Sequence, residues 1–261
     1  KYKINMALPE LIYAPIDGGT IHRYEISGGK RKFLRFIGCY LGQCNFHTNI
    51  DDAKSVISLV RNIEKKLDRP VAVMLDLQGQ KVRIRGFGKK SHIVLKNGDS
   101  FIIDTSLGEN GTYKSVGVTF KDLHKNIKKG DELLLSDALI KLRVDSIKSK
   151  KIYTTVDRGG KLKPYQGLNK KGGGLSLSGL TNKDRTDLKK SLLYEYDYVA
   201  VSFVKDEKDI NEIKKIVKNK DVKIIAKIER NEAVKNIDKI TRSADGLLVA
   251  RGDLGVEIGI E

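Results

Sequence analysis

The sequence predicts an α/β protein, part of a (β/α) barrel interrupted by a small all-β domain. Three observations carry this. After about residue 172, helical segments and apolar strand-like segments alternate in regular units, each strand running from apolar into polar or charged residues. A helix and strand of the same kind come before about residue 87. Between the two, short alternating segments follow one another with turn signals and no helical periodicity, which does not belong to a βα layer. The expected divisions are 1–87 for the first part of the barrel, with 1–37 divergent, then 88–172 for the inserted β domain and 173–261 for the continuation. An open Rossmann-type sheet is the alternative, but no strand is followed by a GxGxxG turn.

Taken in order, Lys3–Leu8 reads as a strand, and Asp17-Gly18-Gly19 and Ser27-Gly28-Gly29 as turns. Lys30–Ile37 reads as a short basic helix ending at Gly38. Asp51-Asp52 offers an N-cap, and Val56, Ile57, Val60, Ile63 and Leu67 recur at helical spacing until Arg69-Pro70. Val71–Leu75 is a buried strand ending in the carboxylate of Asp76, followed by Gln78-Gly79-Gln80-Lys81-Val82-Arg83. In the insertion, strands are expected at Ile93–Leu95, Phe101–Ile103, Asp131–Leu135, Ile140–Val144 and Ile152–Val156. Turns at Asn97-Gly98, Asn110-Gly111, Lys129-Gly130 and Gly159-Gly160 space them as in a small β-barrel or sandwich. The continuation then reads helix 183–194, strand 198–203, helix 206–218, strand 222–229, helix 231–241 and strand 246–253.

Composition bounds the function. A chain of 261 residues, 39% hydrophobic and 32% charged, buries a sizeable core. No run approaches the length of a membrane span. Cys39, Cys44 and four scattered histidines make no zinc pattern. The net charge of +17 raises nucleic-acid binding, but the lysines are spread along the chain beside acids, and no base-reading motif with interleaved aromatics is present. Attraction of anionic substrates accounts for the charge equally well. The first residue is not Met, which suggests processing or excision, and no secretory pattern is visible.

The chemistry gathers at strand ends. Lys227 and Glu229 are two apart in VKIIAKIE and so share a face, and the next strand, LLVARGDLG, delivers Asp253 to the same rim. Two carboxylates and an ammonium suit a divalent cation and a phosphoryl group or enolate. The backbone after Ala250 receives a small anion if a helix starts there. The bland alternative is solvated charges at strand ends.

The ordered motifs LDLQGxKVRI, an all-β insertion, NKxGGGLS, LTxKD, VAVSF, AKIERxEAV and LLVARGDLGVEIG resemble pyruvate kinase from about Gly38 onward, most closely its bacterial-type branch. The resemblance implies a (β/α)₈ TIM barrel with a lid domain inserted after the third strand. It implies phosphoryl transfer between phosphoenolpyruvate and ADP, giving pyruvate and ATP, with Mg²⁺ or Mn²⁺ as cofactor. Matched residue by residue, the metal ligands fall on Glu229 and Asp253, and the charge-stabilising lysine on Lys227. The segment Ala250, Arg251, Gly252 and Asp253 matches the backbone that takes the substrate carboxylate. Arg83 matches an arginine on the nucleotide and phosphoryl side, Ser202 and Phe203 the floor of the site, Lys171 the lid hinge, and Asp137 an acid in a lid motif that here reads Ser136-Asp137-Ala138 in place of DDG. In the monovalent-cation region stand Asn45, His47, Asp76, Leu77 and Lys81, and the set Leu77, Gln78 and Lys81 resembles the branch in which a lysine replaces K⁺. Family analogy also implies a homotetramer for a full-length chain and a cytoplasmic setting, or a plastid for an organellar copy, with no membrane or nucleic acid involved.

Two departures set an alternative expectation. The arginine that clamps the transferring phosphoryl is replaced by Gln43, and the sequence stops after the sixth barrel strand. These imply a fragment of a longer enzyme, a catalytically impaired relative, or a barrel completed by partner chains.

Overall fold

The computed structural model describes residues 20–27, 30–40, 53, 54, 57, 58, 60–62, 65, 72–177, 179–218 and 220–259. The expected strand at 3–8, the turn at 17–19, and Gln43, Asn45 and His47 lie outside them. The described residues fall into two compact units, one drawn from Lys1–Gly79, Gly179–Lys227 and Asn236–Leu248, the other from Gln80–Ser178, Ile228–Lys235 and Val249–Glu261.

The first unit is built on a sheet of order β1-β2-β3-β12-β13-β14, comprising β1 (Thr20–Ser27), β2 (Lys30–Tyr40), β3 (Val73–Leu77), β12 (Tyr198–Val201), β13 (Lys223–Ile228) and β14 (Gly246–Val249). β2, β3, β12 and β13 run parallel, while β1 returns antiparallel on β2 at the edge. All five residues of β3 are buried, as expected of a strand covered on both faces. Helix α1, described at 53, 54, 57, 58, 60–62 and 65, turns Ala53, Ile57 and Val60 inward. Its Arg61 donates to the Glu195 carbonyl and to Asp197, whose carboxylate also accepts the Val73 N–H, so α1 is tied to the start of both β3 and β12. Helices α2 (Asn182–Ser191), α3 (Glu207–Val217) and α5 (Ile237–Ser243) complete the alternation of a partial (β/α) barrel.

Four expectations are corrected. Residues 30–40 form a strand, where a short helix is expected at 30–37: Phe33, Phe36 and Ile37 favour extended backbone, and β1 supplies a ladder from Ser27↔Lys30 to Thr20↔Ile37 that outweighs local helical preference. β3 begins two residues later than expected, so Asp76 lies inside the strand and not after it. The helix expected over 231–241 is two, α4 (Asn231–Lys235) and α5, because Asn236 leaves helical backbone and sends its amide to the Lys205 carbonyl. β14 stops at Val249, and Arg251 opens helix α6 (Arg251–Ile258), so Arg251-Gly252-Asp253 is a first helical turn and not the end of a strand.

The second unit contains the inserted sheets. β11 (Leu168–Lys170), β7 (Glu132–Leu135), β8 (Ile140–Lys148), β9 (Lys151–Arg158), β5 (Ser100–Asp104) and β6 (Ser115–Gly117) form one, and β10 (Gly160–Leu162) with β4 (Ile93–Leu95) a second. Alternate residues such as Leu133, Leu135, Leu142, Val144, Ile152 and Val156 bury one face around Phe101 and Ile103. The β7–β8 hairpin is unusual: Ser136, Asp137 and Ala138 all have positive φ, at 52°, 53° and 66°, and the Arg158 guanidinium donates to the Ala138 and Leu139 carbonyls. Helix α6 and helix α4 pack in this unit, α6 beside β11.

Helix α2 illustrates how a cap fixes a loop. Thr181 and Asp184 form a reciprocal capping box, and the same buried Asp184 carboxylate accepts the Gln78 and Gly79 N–H groups at 3.0 and 3.3 Å. Replacing it strands four donors, the buried Gly79 N–H and the partly buried Gln78 N–H, Thr181 N–H and Thr181 hydroxyl. Asp184→Ala is expected to lower the unfolding free energy by about 2–3 kcal/mol, measured by urea denaturation.

Candidate active site

In the first unit the register brings three side chains to one face. Asp76 stands opposite Ala200. Carried two residues on, Ser202 and Lys227 fall on the same side of the sheet as Asp76, because side chains alternate and Val201 pairs with Ala226. The Lys227 ammonium donates to Ser202 Oγ at 2.8 Å and to the Asp76 carboxylate at 3.2 and 3.4 Å, and Ser202 Oγ donates to Asp76 Oδ1 at 3.2 Å. All three are buried. Burial pushes the Asp76 carboxyl above its ordinary value, opposed by the attraction and hydrogen bond of Lys227, then by Ser202, and reinforced by Asp184. The loop after β3 presses on this cluster. Gly79 adopts φ +64°, and a Cβ there would lie 2.7 Å from the Ser202 carbonyl oxygen, so only glycine fits. Leu77 is buried in β3 and offers no side-chain oxygen. Phe203, next to Ser202, has φ +54°.

In the second unit, Lys81, Arg83 and Asp253 are gathered. The Lys81 ammonium sits 2.5 Å from Asp253 Oδ1, its side chain only 11% exposed, and its Cε would lie 3.0 Å from a Cβ on Gly167. Asp253 Oδ2 makes no hydrogen bond among the described residues. Arg83 donates to the Tyr165 carbonyl at 3.0 Å; burial lowers its pKa, while Asp253 and Asp137 favour its charge. Glu229 directly follows β13 and is 2% exposed. The Ala250 N–H donates to the Ile228 carbonyl at 3.2 Å, which places the residues just after β13 beside the start of α6. Ala250 is the N-cap of α6 without a side-chain cap, so the first-turn N–H groups of Arg251, Gly252 and Asp253 lack intrahelical acceptors. Lys171 is elsewhere, half-exposed and paired with Glu132 at 3.3 Å. No group of three or more metal-ligating side chains occurs among the described residues.

The sequence profile of the pyruvate kinase barrel domain matches residues 30–261. The chain belongs to the pyruvate kinase family. It is 41% identical over 229 residues to pyruvate kinase II of Salmonella typhimurium, an alignment covering 85% of this chain and 48% of that protein. It is 46% identical over 207 residues to a pyruvate kinase of Buchnera aphidicola subsp. Baizongia pistaciae, covering 77% and 43%. With the pyruvate kinase of Thermotoga maritima the identity is 35% over 217 residues, covering 82% and 46%. The chain thus spans about half the length of the pyruvate kinases it matches.

Several residues of these clusters, or their partnerships, escaped sequence reasoning. Asp184 was readable as the end of a Thr-x-x-Asp capping box, but not as the acceptor for the 78–79 loop. Asp76 shows in sequence as a strand-end acid, yet its partnership with Lys227 spans 151 residues and leaves no local signal. Glu257, on α6, accepts the Asn231 N–H at 2.9 Å, and its backbone carbonyl accepts from Gly172. Burial raises the Glu257 carboxyl, opposed by the Asn231 bond and Arg230, with Glu232 and Asp253 adding to the rise.

That last shift has a definite sign. A carboxyl held above its unfolded value makes the folded state bind its proton more tightly, so the contribution is fully present at low pH and fades as pH rises from the ordinary glutamate value through the folded one. Glu257→Gln keeps an acceptor for Asn231 and removes this slope. In urea unfolding across pH 4 to 7, the variant is expected to gain on the parent steadily as pH increases.

Proposed function

We propose that the chain is the part of a pyruvate kinase that carries its phosphoryl-transfer chemistry, moving a phosphoryl group between phosphoenolpyruvate and ADP. The observation that carries this reading is the buried Lys227 ammonium, held by Asp76 and Ser202, on the strand that Glu229 directly follows. In the forward direction an oxygen of the ADP terminal phosphate bonds to phosphorus, the bond to the enol oxygen breaks, its electron pair stays on the enolate, and a proton then joins the methylene carbon. Lys227 lowers the energy of negative charge on the phosphoryl and enolate oxygens. Asp76 and Ser202 hold its ammonium in place by hydrogen bonds.

Glu229 and Asp253 suit a Mg²⁺ or Mn²⁺ ion: both are hard oxygen donors, the Ala250–Ile228 hydrogen bond joins the backbone that leads into each, and Asp253 Oδ2 accepts no hydrogen bond among the described residues. Two protein carboxylates are the usual complement for Mg²⁺, which completes its shell with substrate oxygens and water. When bound, the ion supplies charge neutralisation at the transferring group. The first-turn N–H groups from Arg251 to Asp253 take the substrate carboxylate, and Gly252 supports this: a Cβ there meets no protein atom within 4 Å, so protein packing does not demand the glycine whereas close approach of a ligand does. Arg83 serves the nucleotide side, and Lys171 lies in the joint of a lid comprising residues 88–172, between barrel segments 1–87 and 173–261.

Lys81 replaces K⁺ as fixed positive charge. Its support is the 2.5 Å contact with Asp253 from a mostly buried position, together with Leu77, which removes an oxygen ligand. A homotetramer of the full-length protein and a cytoplasmic setting follow from the family. The alternative reading, an impaired relative, rests on Gln43 in place of the phosphoryl-clamping arginine.

A coupled pyruvate-formation assay on this chain and on a version extended to the length of its relatives tests the reading. Lys227→Met is expected to reduce kcat by about 10²–10³-fold or more with KM little changed. If Gln43 limits the rate, Gln43→Arg raises kcat in both. Adding KCl at constant ionic strength is expected to leave the rate unchanged; a many-fold rise would reject the role given to Lys81. Pyruvate formation that is absent from the extended version, with or without Gln43→Arg, would reject the enzyme reading.

A further inference from the structure

The inserted β domain contains a recess of 540 Å³ formed by residues between 85 and 150, none of which has a part in the reaction proposed above. Four cations line it, Arg85, Lys121, Lys125 and Lys150, against a single acid, Asp122. Two of the cations are spoken for: Arg85 pairs with Glu109 at 2.8 Å, and Lys125 with Asp122 at 2.8 Å. Lys121 and Lys150 make no ion pair among the described residues, and Asp122, already lowered in pKa chiefly by its bond to Lys125, is the acid within range of Lys150. The cations come from three segments, at 85, 121–125 and 150, so the fold itself brings like charges together. Such a concentration is unfavourable unless an anion relieves it.

The wall of the recess is ordered by a chain of hydrogen bonds. Thr105 Oγ1 donates its one proton to the Lys150 carbonyl at 3.1 Å. Its 3.0 Å contact with His124 therefore runs from His124 Nδ1–H to the hydroxyl oxygen. Leu123, fully buried, anchors the short turn that carries His124 and Lys125. No Phe or Tyr lines the recess, so nothing offers a stacking surface for a nucleobase. Its volume falls in the range of small-molecule sites, about 300–1,000 Å³.

We propose that this recess binds a small polyanion, a compound bearing two or more phosphoryl or carboxylate groups, through Lys121, Lys150 and Arg85, with His124 in its wall. The site stands independently of the phosphotransfer reading, since neither shares a residue with the other.

The test is titration of the whole chain with inorganic pyrophosphate in the absence of divalent metal, followed through backbone amide and histidine ring resonances. Saturable shifts are expected at Thr105, His124 and Lys150, with affinity weakened at least about tenfold in Lys121→Ala/Lys150→Ala, each lost charge-assisted contact accounting for part of the loss. Unchanged amide resonances across β5, β8 and β9 verify that the variant folds; Lys121→Gln/Lys150→Gln replaces it if they move. Equal affinity in the double variant overturns the proposal. So do shifts confined to the neighbourhood of Lys81 and Asp253, or no saturable response at Thr105, His124 and Lys150.

Discussion

A buried ammonium dictates much of the first unit. Lys227 has no solvent to share its charge, so the fold must bring it a counter-charge and oxygen acceptors. Asp76 and Ser202 meet that demand from two other strand ends, and the parallel register of β3, β12 and β13 makes the meeting possible. A one-residue slip of β12 would turn Ser202 to the opposite face and break the arrangement. Much around the cluster serves to hold that register: Arg61 and Asp197 fasten the start of β3, Asp184 fastens its exit, and Gly79 lets the exit loop lie flat on Ser202. The reactive geometry and the packing geometry are thus one constraint, and isolated strand-end charges would require neither.

The second unit handles its charges differently. Lys81 and Asp253 form a close pair, Arg83 has its charge favoured by two acids, and burial raises the pKa of Glu257, which has a backbone N–H as partner. Gly172, Gly173 and Gly174 all take positive φ and are gripped by Glu257, Asn231 and Glu232. A Cβ on Gly173 would stand 3.2 Å from a Glu257 carboxylate oxygen, closer than ordinary contact, and its φ of 74° disfavours any side chain. The triglycine is a segment fitted to its neighbours.

Sequence and structure agree best where local pattern and tertiary role coincide. The apolar run before Lys227, the helical spacing of Ile210, Ile213 and Val217, and the alternation in β8 and β9 each match what burial requires, so these elements are legible. Residues 30–40 are not, because their basic, aromatic-rich string acquires its strand identity from a ladder with β1 that no local window contains. The split at Asn236 is hidden for a similar reason: the carbonyl that draws its amide out of the helix belongs to Lys205, 31 residues away. For the site, motif resemblance finds the acids and the lysine, whereas the partners that aim them come from distant segments and become visible only when the chain is folded.

The hairpin between β7 and β8 carries a trade whose terms are written in two places. Three successive side-chain-bearing residues are held in a backbone region that costs each roughly 1 kcal/mol, and the third, Ala138, occupies the position where the family motif has glycine. The guanidinium of Arg158 grips the carbonyls just there, offsetting the tension from a neighbouring strand. The methyl group of Ala138 and the guanidinium of Arg158 thus act on the same short stretch of backbone, one adding to its tension and the other bracing it.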